Sequence, residues 1–171
     1  LSVFYSFGQK KELKAVEKAL KSKNFLSAKE NLIVAEKYDF SNVDLKTKVK
    51  YHYLKGVAYY AEGEASFVDS KLSLENLEKV ILFEKKSKSK TYTEKVKSLK
   101  IIMLNKFIEN AKNSLELKDY YTSYSNLEYA FRVSPSDTLY LYNAALLATE
   151  SKDFDVAMRF YSELEDLAFT G

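Results

Sequence analysis

The sequence predicts an all-α fold in which antiparallel helix pairs stack into a solenoid. Apolar residues recur at helical spacing over most of the chain. The 171 residues include four glycines and one proline, too few for the many turns of an all-β fold. A self-similarity at a spacing of 34 residues, the length of one helix pair, joins four pairs of positions: Ala111 and Ala145, Asp119 and Asp153, Tyr120 and Phe154, and Ser123 and Ala157.

The apolar spacing predicts eight helices in order along the chain. We expect them near residues 10–22, 25–38, 43–62, 70–86, 93–117, 120–132, 137–150 and 154–168. Residues 66–70 have the character of an insertion before the fourth helix, and the lysine-rich run 85–90 interrupts the periodicity after it. The second helix pair is therefore expected to be the irregular one.

Side chains suited to helix N-termini precede several of these segments. Asn24, Asp119 and Asp153 each stand before an aromatic residue with which the second helix of a pair would begin. We expect the Asn or Asp to accept from free N–H groups of that helix, and the aromatic residue to fill the gap between the paired helices. Further caps are predicted for the third, fifth and seventh helices: Ser41 with Asp44, Thr93, and Ser136.

Small residues predict where paired helices cross, because helices approach closely only where both side chains are small. In the irregular second pair the best match to the second-helix pattern is Ser73, Leu77 and Val80. In the other pairs a small residue is followed 12 residues later by another: Ala111 by Ser123, Ala145 by Ala157 and, more weakly, Val16 by Ala28.

This pattern resembles the tetratricopeptide repeat, and residues 53–59 (Tyr-Leu-Lys-Gly-Val-Ala-Tyr) are similar to the Leu-Gly-x-x-Tyr core of its first helix. The resemblance covers about residues 9–171, most closely from 104 onward. It implies a right-handed superhelix of about four helical hairpins, with units near 9–42, 43–103, 104–137 and 138–171. A generic array of helical hairpins would have nearly the same shape and stays open as an alternative.

The resemblance also implies a binding surface, since in this family the first helix of each repeat lines a concave face that holds peptides. Tyrosine is favoured at such interfaces, although each ring could instead pack between helices. The Lys, Asn and Arg set with which some members grip a chaperone's carboxyl terminus is missing. The family's lining positions fall on Leu13, Glu17, Tyr53, Val57, Tyr60, Ile108, Lys112, Leu115, Tyr142, Leu146 and Thr149.

Motifs for catalysis, metals and cofactors are missing from the sequence. No cysteine is present, and His52, the one histidine, has no second histidine with which to form a metal or catalytic pair. The HExxH, GxSxG and glycine-rich phosphate motifs do not occur. We therefore expect no enzyme, no catalytic residue, no metal and no cofactor.

Charge is distributed unevenly along the chain. Residues 1–100 carry 21 lysines against 13 acidic residues, whereas residues 101–171 carry 6 basic residues against 11 acidic ones. Such halves suit a partner of complementary charge or head-to-tail association, although solvated lysines explain the pattern equally well. Nucleic-acid binding is not expected, because both arginines, Arg132 and Arg159, lie outside the basic half.

The first and last residues suggest a cellular location and a partner. Residues 1–8 are apolar with small residues at Ser6 and Gly8, as at the end of an export signal. This pattern predicts a mature chain that starts near Gln9 and an extracytoplasmic location, either periplasmic or at the cell surface. The alternative is an apolar N-terminal arm. A terminal repeat normally has a polar outer face, but the last helix keeps the apolar residues Phe160, Tyr161, Leu164, Leu167, Ala168 and Phe169. We therefore expect either that the native chain continues or that this edge associates with another copy.

These observations favour a non-enzymatic scaffold that binds a protein or peptide on the concave face of the helical array. A glycan-binding repeat protein that stacks sugars on tyrosines is the first alternative, and a purely structural oligomerisation domain is the second. No stretch of 18 or more apolar residues occurs, so we expect no membrane span.

Overall fold

The computed structural model describes residues 2–38, 40 and 43–168, with side chains described from Gln9 onward. Over these residues the fold is all-α, as predicted, and contains no strand. A short 3-10 turn, Ala61–Gly63, follows the third helix. The helices are α1 (Ser2–Lys21), α2 (Phe25–Ala35), α3 (Leu45–Tyr60), α4 (Phe67–Ser87), α5 (Thr93–Glu116), α6 (Tyr120–Val133), α7 (Leu139–Glu150) and α8 (Phe154–Asp166).

The chain divides into two compact units, Leu1–Ser98 (unit 1) and Leu99–Gly171 (unit 2), and the division falls within α5. Consecutive helices joined by short turns pack together within each unit, α1 with α2, α3 with α4, α6 with α7 and α7 with α8. The predicted repeat boundaries and the superhelix stay predictions.

Two predicted helix starts are wrong. Helix α1 begins at Ser2 rather than near residue 10, because no proline interrupts it and the lone Gly8 costs a helix only about 1 kcal/mol. Helix α4 begins at Phe67, and the Ser66 hydroxyl caps it by accepting from the N–H of Asp69 at 3.1 Å. Residues 67–70 are thus the first turn of α4, and an insertion into the repeat at residues 66–70 stays a prediction. The side chains of residues 2–8 lie outside the described part, and cleavage near Gln9 stays a prediction.

The same turn joins the helices of three pairs. Lys23, Lys118 and Lys152 adopt left-handed backbone conformations, with φ of 56°, 59° and 63°. The next residue is the N-cap in each case. The side-chain oxygens of Asn24 and Asp119 accept from the backbone N–H three residues on, at 2.9 and 3.0 Å, which confirms these two predicted caps.

The third turn differs from the other two. Asp153 makes no capping bond through its side chain; its Oδ2 instead accepts from the hydroxyl of Tyr124 on α6 at 2.7 Å. Burial, followed by this hydrogen bond to a carboxylate, raises the pKa of Tyr124. Phe154 is 59% exposed, so the expectation that it fills the gap between helices is wrong.

The other predicted caps also need correction. Asp44 is the N-cap of α3 and accepts from the N–H of Thr47 at 2.9 Å, whereas the expected Ser41 lies outside the described residues. Thr138, not Ser136, is the N-cap of α7, and it makes no side-chain bond.

The start of α5 is held by a carboxylate from the preceding helix. Glu84, only 1% exposed, accepts from the N–H groups of Tyr92 and Thr93, both at 2.9 Å, and from the Thr93 hydroxyl at 2.6 Å. The expected cap, Thr93, is therefore a donor to Glu84, which satisfies the free N–H groups with which a helix begins.

In unit 1, α3 and α4 approach closely at Gly56. The Ser73 hydroxyl of α4 donates to the carbonyl of Gly56 on α3 at 2.7 Å. A β-carbon built on Gly56 would lie 2.7 Å from Leu77 Cδ2, so only glycine fits this crossing. One apolar core of this unit joins α1, α2 and α3: Leu13, Val16, Ala19, Ala28, Leu32, Ala35, Tyr51, Leu54 and Ala58.

In unit 2 a corresponding hydrogen bond marks the predicted crossing of α5 and α6. The hydroxyl of Ser123 donates to the carbonyl of Ala111 at 2.8 Å, and both residues are buried. Small side chains at this spacing allow the two backbones to approach. The apolar core of this unit joins α6, α7 and α8: Tyr124, Phe131, Leu141, Ala144, Ala145, Ala148, Ala157, Phe160 and Leu164.

The last helix is only partly uncovered. Phe160 and Leu164 are core residues, 0% and 3% exposed, so their expected place on the uncovered face is wrong. Tyr161 and Leu167 are exposed at 40% and 46%, and so is Ala168, while Phe169 lies outside the described residues. The outward face also carries Met158, 71% exposed. Self-association through this face stays a prediction.

Candidate functional site

A groove of about 430 Å³ opens on unit 2, between its first, second and third helices. Helices α5 and α7 form its walls and α6 contributes the residues between them. We call it the unit 2 groove. Its lining residues are Ile108, Ala111, Lys112 and Leu115 from α5, Ser123 and Leu127 from α6, and Tyr140, Asn143, Leu146 and Leu147 from α7.

Helical spacing places these side chains on one face of each wall. Ile108, Lys112 and Leu115 follow one another at intervals of four and three residues on α5, which puts them in a row along the helix. On α7, Asn143 and Leu147 are likewise four residues apart. The hydrogen bond between Ser123 and Ala111 brings α6 close to α5, so the base of the groove is made of small side chains.

The groove combines apolar surface with a few polar groups. Leu115 and Leu146 are each 43% exposed, so apolar surface faces solvent on both walls. Lys112 and Asn143 are also exposed, and among the described residues Lys112 takes part in no ion pair. Leucines supply non-directional apolar contact, whereas an ammonium and an amide select for charge and for hydrogen-bonding groups.

Tyr140 adds a hydroxyl donor to this wall. Burial, followed by the neighbouring carboxylate of Asp137, raises the pKa of Tyr140 above its ordinary value. The ring is partly buried and packs against the apolar core of unit 2. Its hydroxyl therefore stays protonated at neutral pH and can donate a hydrogen bond.

The structure brings together four of the six residues that the sequence placed on the binding face of unit 2. Ile108, Lys112, Leu115 and Leu146 all line the groove. Tyr142 is instead half-buried and packs against the core of unit 2.

Thr149 lies outside the groove lining as well. Its hydroxyl donates to the carbonyl of Ala145 on its own helix at 2.9 Å. The described part of the groove lining ends at Leu147 on α7 and does not include Thr149.

The five predicted residues of unit 1 do not form a comparable surface. Leu13 and Tyr60 are 2% and 4% exposed, so little of either side chain is available to a partner. Val57 is half-buried. Glu17 is engaged in an ion pair with Lys50 at 2.6 Å.

Tyr53 is covered by a ring from elsewhere in unit 1. It stacks on Tyr92, from the turn before α5, with 4.2 Å between ring centroids and 24° between the planes. Burial, followed by the neighbouring Tyr92, raises the pKa of Tyr53. The expectation that this face of Tyr53 is open to a partner is therefore wrong.

The predicted binding set lacks six of the groove residues: Ala111, Ser123, Leu127, Tyr140, Asn143 and Leu147. Leu127 was assigned to helix packing alone, because it stands at the large apolar position four residues after Ser123. Asn143 and Leu147 share one face of α7 with the predicted Leu146, so following that face along the helix would have found them.

His52 has a structural partner rather than a catalytic one. Its Nδ1 lies 2.8 Å from Oδ1 of Asn76 on α4. Burial lowers the pKa of His52 despite the opposing effect of this hydrogen bond. Its ring also lies 5.5 Å from that of Phe83, so it packs in the interface of α3 and α4.

Comparisons with family models, with curated proteins and with solved structures return no match. Over the part of the chain that the structure describes, no group of three or more His, Cys, Asp or Glu side chains is arranged to hold a metal ion. None of the helices there is both long and apolar enough to cross a membrane.

Proposed function

We propose that the chain is a non-enzymatic interaction module, similar to a tetratricopeptide-repeat domain, that binds a peptide segment in the unit 2 groove. The observation that carries this proposal is the groove itself, where leucines on two walls surround an unpaired lysine and an exposed asparagine amide. The repeated turns support a repeat architecture, because left-handed Lys118 and Lys152 are 34 residues apart in sequence.

The composition of the groove indicates the chemistry of the peptide. Leu115 and Leu146 line the groove from different helices and suit apolar anchor side chains, such as those of an amphipathic helix. Lys112 stands on the same α5 face as Leu115 and favours an acidic group beside the anchor. A volume of about 430 Å³ lies within the range of binding pockets and holds a few side chains, not a folded domain.

The expected affinity is moderate. Burying two apolar side chains contributes about 1.5–3 kcal/mol each, and the Lys112 contact adds specificity more than affinity. These two anchors together supply about 3–6 kcal/mol before the cost of association, so a dissociation constant in the micromolar range, about −8 kcal/mol, requires further contacts along the peptide.

The groove favours a peptide over a glycan. Sugar binding by this chain was expected to use exposed tyrosine faces, but Tyr140 is the one tyrosine that lines the groove and Tyr53 is covered by Tyr92. The proposed extracytoplasmic location rests on the sequence of residues 1–8 alone.

The test begins with selection from a random peptide library displayed on phage, using the whole chain as bait. We expect enrichment of peptides with two apolar residues spaced for one helix face next to Asp or Glu. The selected peptide is then titrated against the parent and Leu146→Ala by fluorescence polarisation. The matched control is Leu117→Ala, because Leu117 is 82% exposed and lies outside the groove lining.

We expect at least tenfold weaker binding for Leu146→Ala and less than twofold for Leu117→Ala. Lys112→Ala should weaken binding most for acidic peptides. Equal affinity of the parent and Leu146→Ala would overturn the assignment of the groove, and so would a failure of the library to yield any binding peptide.

A further inference from the structure

A second cavity, of about 490 Å³, lies in unit 1 between α1 and the start of α3. Its lining is unusually rich in lysine. Helix α1 contributes Lys10, Lys11 and Lys14, and α3 contributes Lys46 and Lys50. We call it the lysine cavity. It is separate from the unit 2 groove and has no part in the peptide binding proposed above.

Most of the lysines that line the cavity form no ion pair with another described residue. Among the described residues, Lys11, Lys14 and Lys46 take part in no ion pair, whereas Lys50 pairs with Glu17 at 2.6 Å. The ammonium groups on Lys11, Lys14 and Lys46 therefore remain available to a ligand.

Among the described lining residues, the one carboxylate, Asp44, already accepts hydrogen bonds through both oxygens. Asp44 Oδ1 accepts from the N–H of Thr47 at 2.9 Å, and its Oδ2 accepts from the Thr47 hydroxyl at 2.8 Å. These hydrogen bonds hold the pKa of Asp44 below its usual value. Asp44 thus serves the start of α3 with both oxygens, and Lys10 is near enough to add to the same effect.

The lysines are placed so that they repel one another. Lys10 and Lys14 are four residues apart on α1, and Lys46 and Lys50 are four residues apart on α3. Like charges at this spacing destabilise a helix. Packing of α1 against α3 brings the two rows to one cavity, beside the positive end of the α3 dipole. A bound polyanion would relieve this repulsion.

The choice of lysine over arginine indicates the kind of anion. Both arginines of the chain, Arg132 and Arg159, lie in unit 2 and pair with Glu128. An arginine fork binds a carboxylate or a phosphate through two parallel hydrogen bonds, whereas several ammonium point charges impose no such geometry and suit a ligand that carries many charged phosphate oxygens. The buried side chain of Leu13 lies in the lining as apolar surface. A volume of about 490 Å³ suits a small molecule.

We propose that the lysine cavity binds a ligand that carries two or more phosphate groups. The same chemistry occurs in a free polyphosphorylated small molecule and in a phosphorylated lipid headgroup. In either case Lys14 and Lys46, which face the cavity from different helices, each contact the phosphates.

The test uses inorganic tripolyphosphate and inositol hexakisphosphate as soluble probes, titrated into the whole chain by calorimetry at 150 mM salt. The variant Lys14→Gln/Lys46→Gln removes one charge from each side of the cavity. The matched control is Lys85→Gln/Lys86→Gln, which removes the same charge from exposed positions on α4 in the same unit. Circular dichroism confirms that both variants fold.

We expect micromolar binding by the parent, at least a tenfold loss for Lys14→Gln/Lys46→Gln and less than a twofold loss for the control. Vesicles of phosphatidylcholine with a phosphoinositide distinguish the source. Sedimentation with them, reversed by tripolyphosphate, indicates a lipid headgroup, whereas binding of soluble probes alone indicates a free small molecule. Lack of binding to every probe overturns the proposal, as do equal losses in the two double variants, which would reflect general attraction to lysines.

Discussion

Replacing Gly56 by alanine should destabilise unit 1, although alanine is the better helix former. The substitution adds one methyl group at the crossing of α3 and α4. That methyl would lie 2.7 Å from Leu77 Cδ2, 2.8 Å from Leu77 Cγ and 3.4 Å from the carbonyl oxygen of Ser73. Carbon atoms in contact are normally about 3.5–4.0 Å apart, so something in the crossing must move.

Two opposing terms set the magnitude. Alanine in place of glycine inside a helix gains about 1 kcal/mol. Overpacking a well-filled core costs about 1–3 kcal/mol, occasionally more. Leu77 is 0% exposed and Ser73 is tied to Gly56 by its own hydrogen bond, so neither can yield easily. The overpacking term therefore wins, and we expect a net loss of about 1–2 kcal/mol.

Hydrogen exchange followed by mass spectrometry measures this loss of stability locally, in the helices of unit 1 that form the crossing. Peptides from α3 and α4 report unit 1, and their protection should fall about tenfold for every 1.4 kcal/mol. Glu75→Ala, at an exposed position of α4, is the control and should change protection little.

A second substitution tests the sign of the effect. Leu77→Ala alone should cost about 2–5 kcal/mol. In that background the alanine at position 56 meets empty space, so its helix propensity should dominate and Gly56→Ala should become neutral or stabilising. If Gly56→Ala stabilises the parent, or costs the same with and without Leu77, the inferred close crossing is wrong.

Three further perturbations follow from the hydrogen bonds and turns. Glu84→Ala should lower the free energy of unfolding, measured with urea, by about 3 kcal/mol, because the Thr93 hydroxyl and two N–H groups lose a buried acceptor. An unchanged urea midpoint would contradict this role of Glu84. Lys118→Gly should stabilise the chain by about 1 kcal/mol in the same assay, since φ of 59° strains any residue with a β-carbon, and a loss of stability would contradict it. Burial alone would raise the pKa of Glu128, but hydrogen bonds from Arg159 and Arg132 lower it. The contribution of Glu128 to folding stability is therefore complete above the ordinary glutamate pKa and is lost as pH falls through the lowered pKa of the folded state. Glu128→Gln should therefore reduce the free energy of unfolding at pH 7 by about 1–3 kcal/mol and make it less dependent on pH between pH 5 and pH 3. Parallel curves of unfolding free energy against pH for the parent and the variant would refute this network of ion pairs.

The helices and several turns were predictable because their causes are local. Asn24 and Asp119 cap the helix that begins at the next residue, so the bond joins positions only three apart. The crossing of Ala111 with Ser123 follows from two small residues at a fixed spacing. One predicted cap failed because a distant group replaced a local one: Glu84 accepts from the N–H of Thr93, where Thr93 itself was expected to be the cap.

The binding residues were less predictable because exposure depends on what other segments cover. A periodic pattern identifies the face of α3 that carries Tyr53, but the turn that brings Tyr92 over it lies in a later part of the chain. Tyr60, which the resemblance placed on the binding face, is buried. Ile108 and Leu115, in contrast, stay open because the groove between α5 and α7 leaves them uncovered.

The sequence by itself determined an all-α chain of eight helices, the residues that cap α2 and α6, and the small residues at which paired helices meet. These features depend on hydrogen bonds and periodicities within a few residues. Only the tertiary structure decided which apolar and basic faces remain accessible, in the unit 2 groove around Leu146 and in the lysine cavity around Lys14 and Lys46. Accessibility and electrostatic repulsion depend on side chains that packing brings together from separate helices. No local pattern in the sequence specifies how far apart those side chains lie in the folded chain.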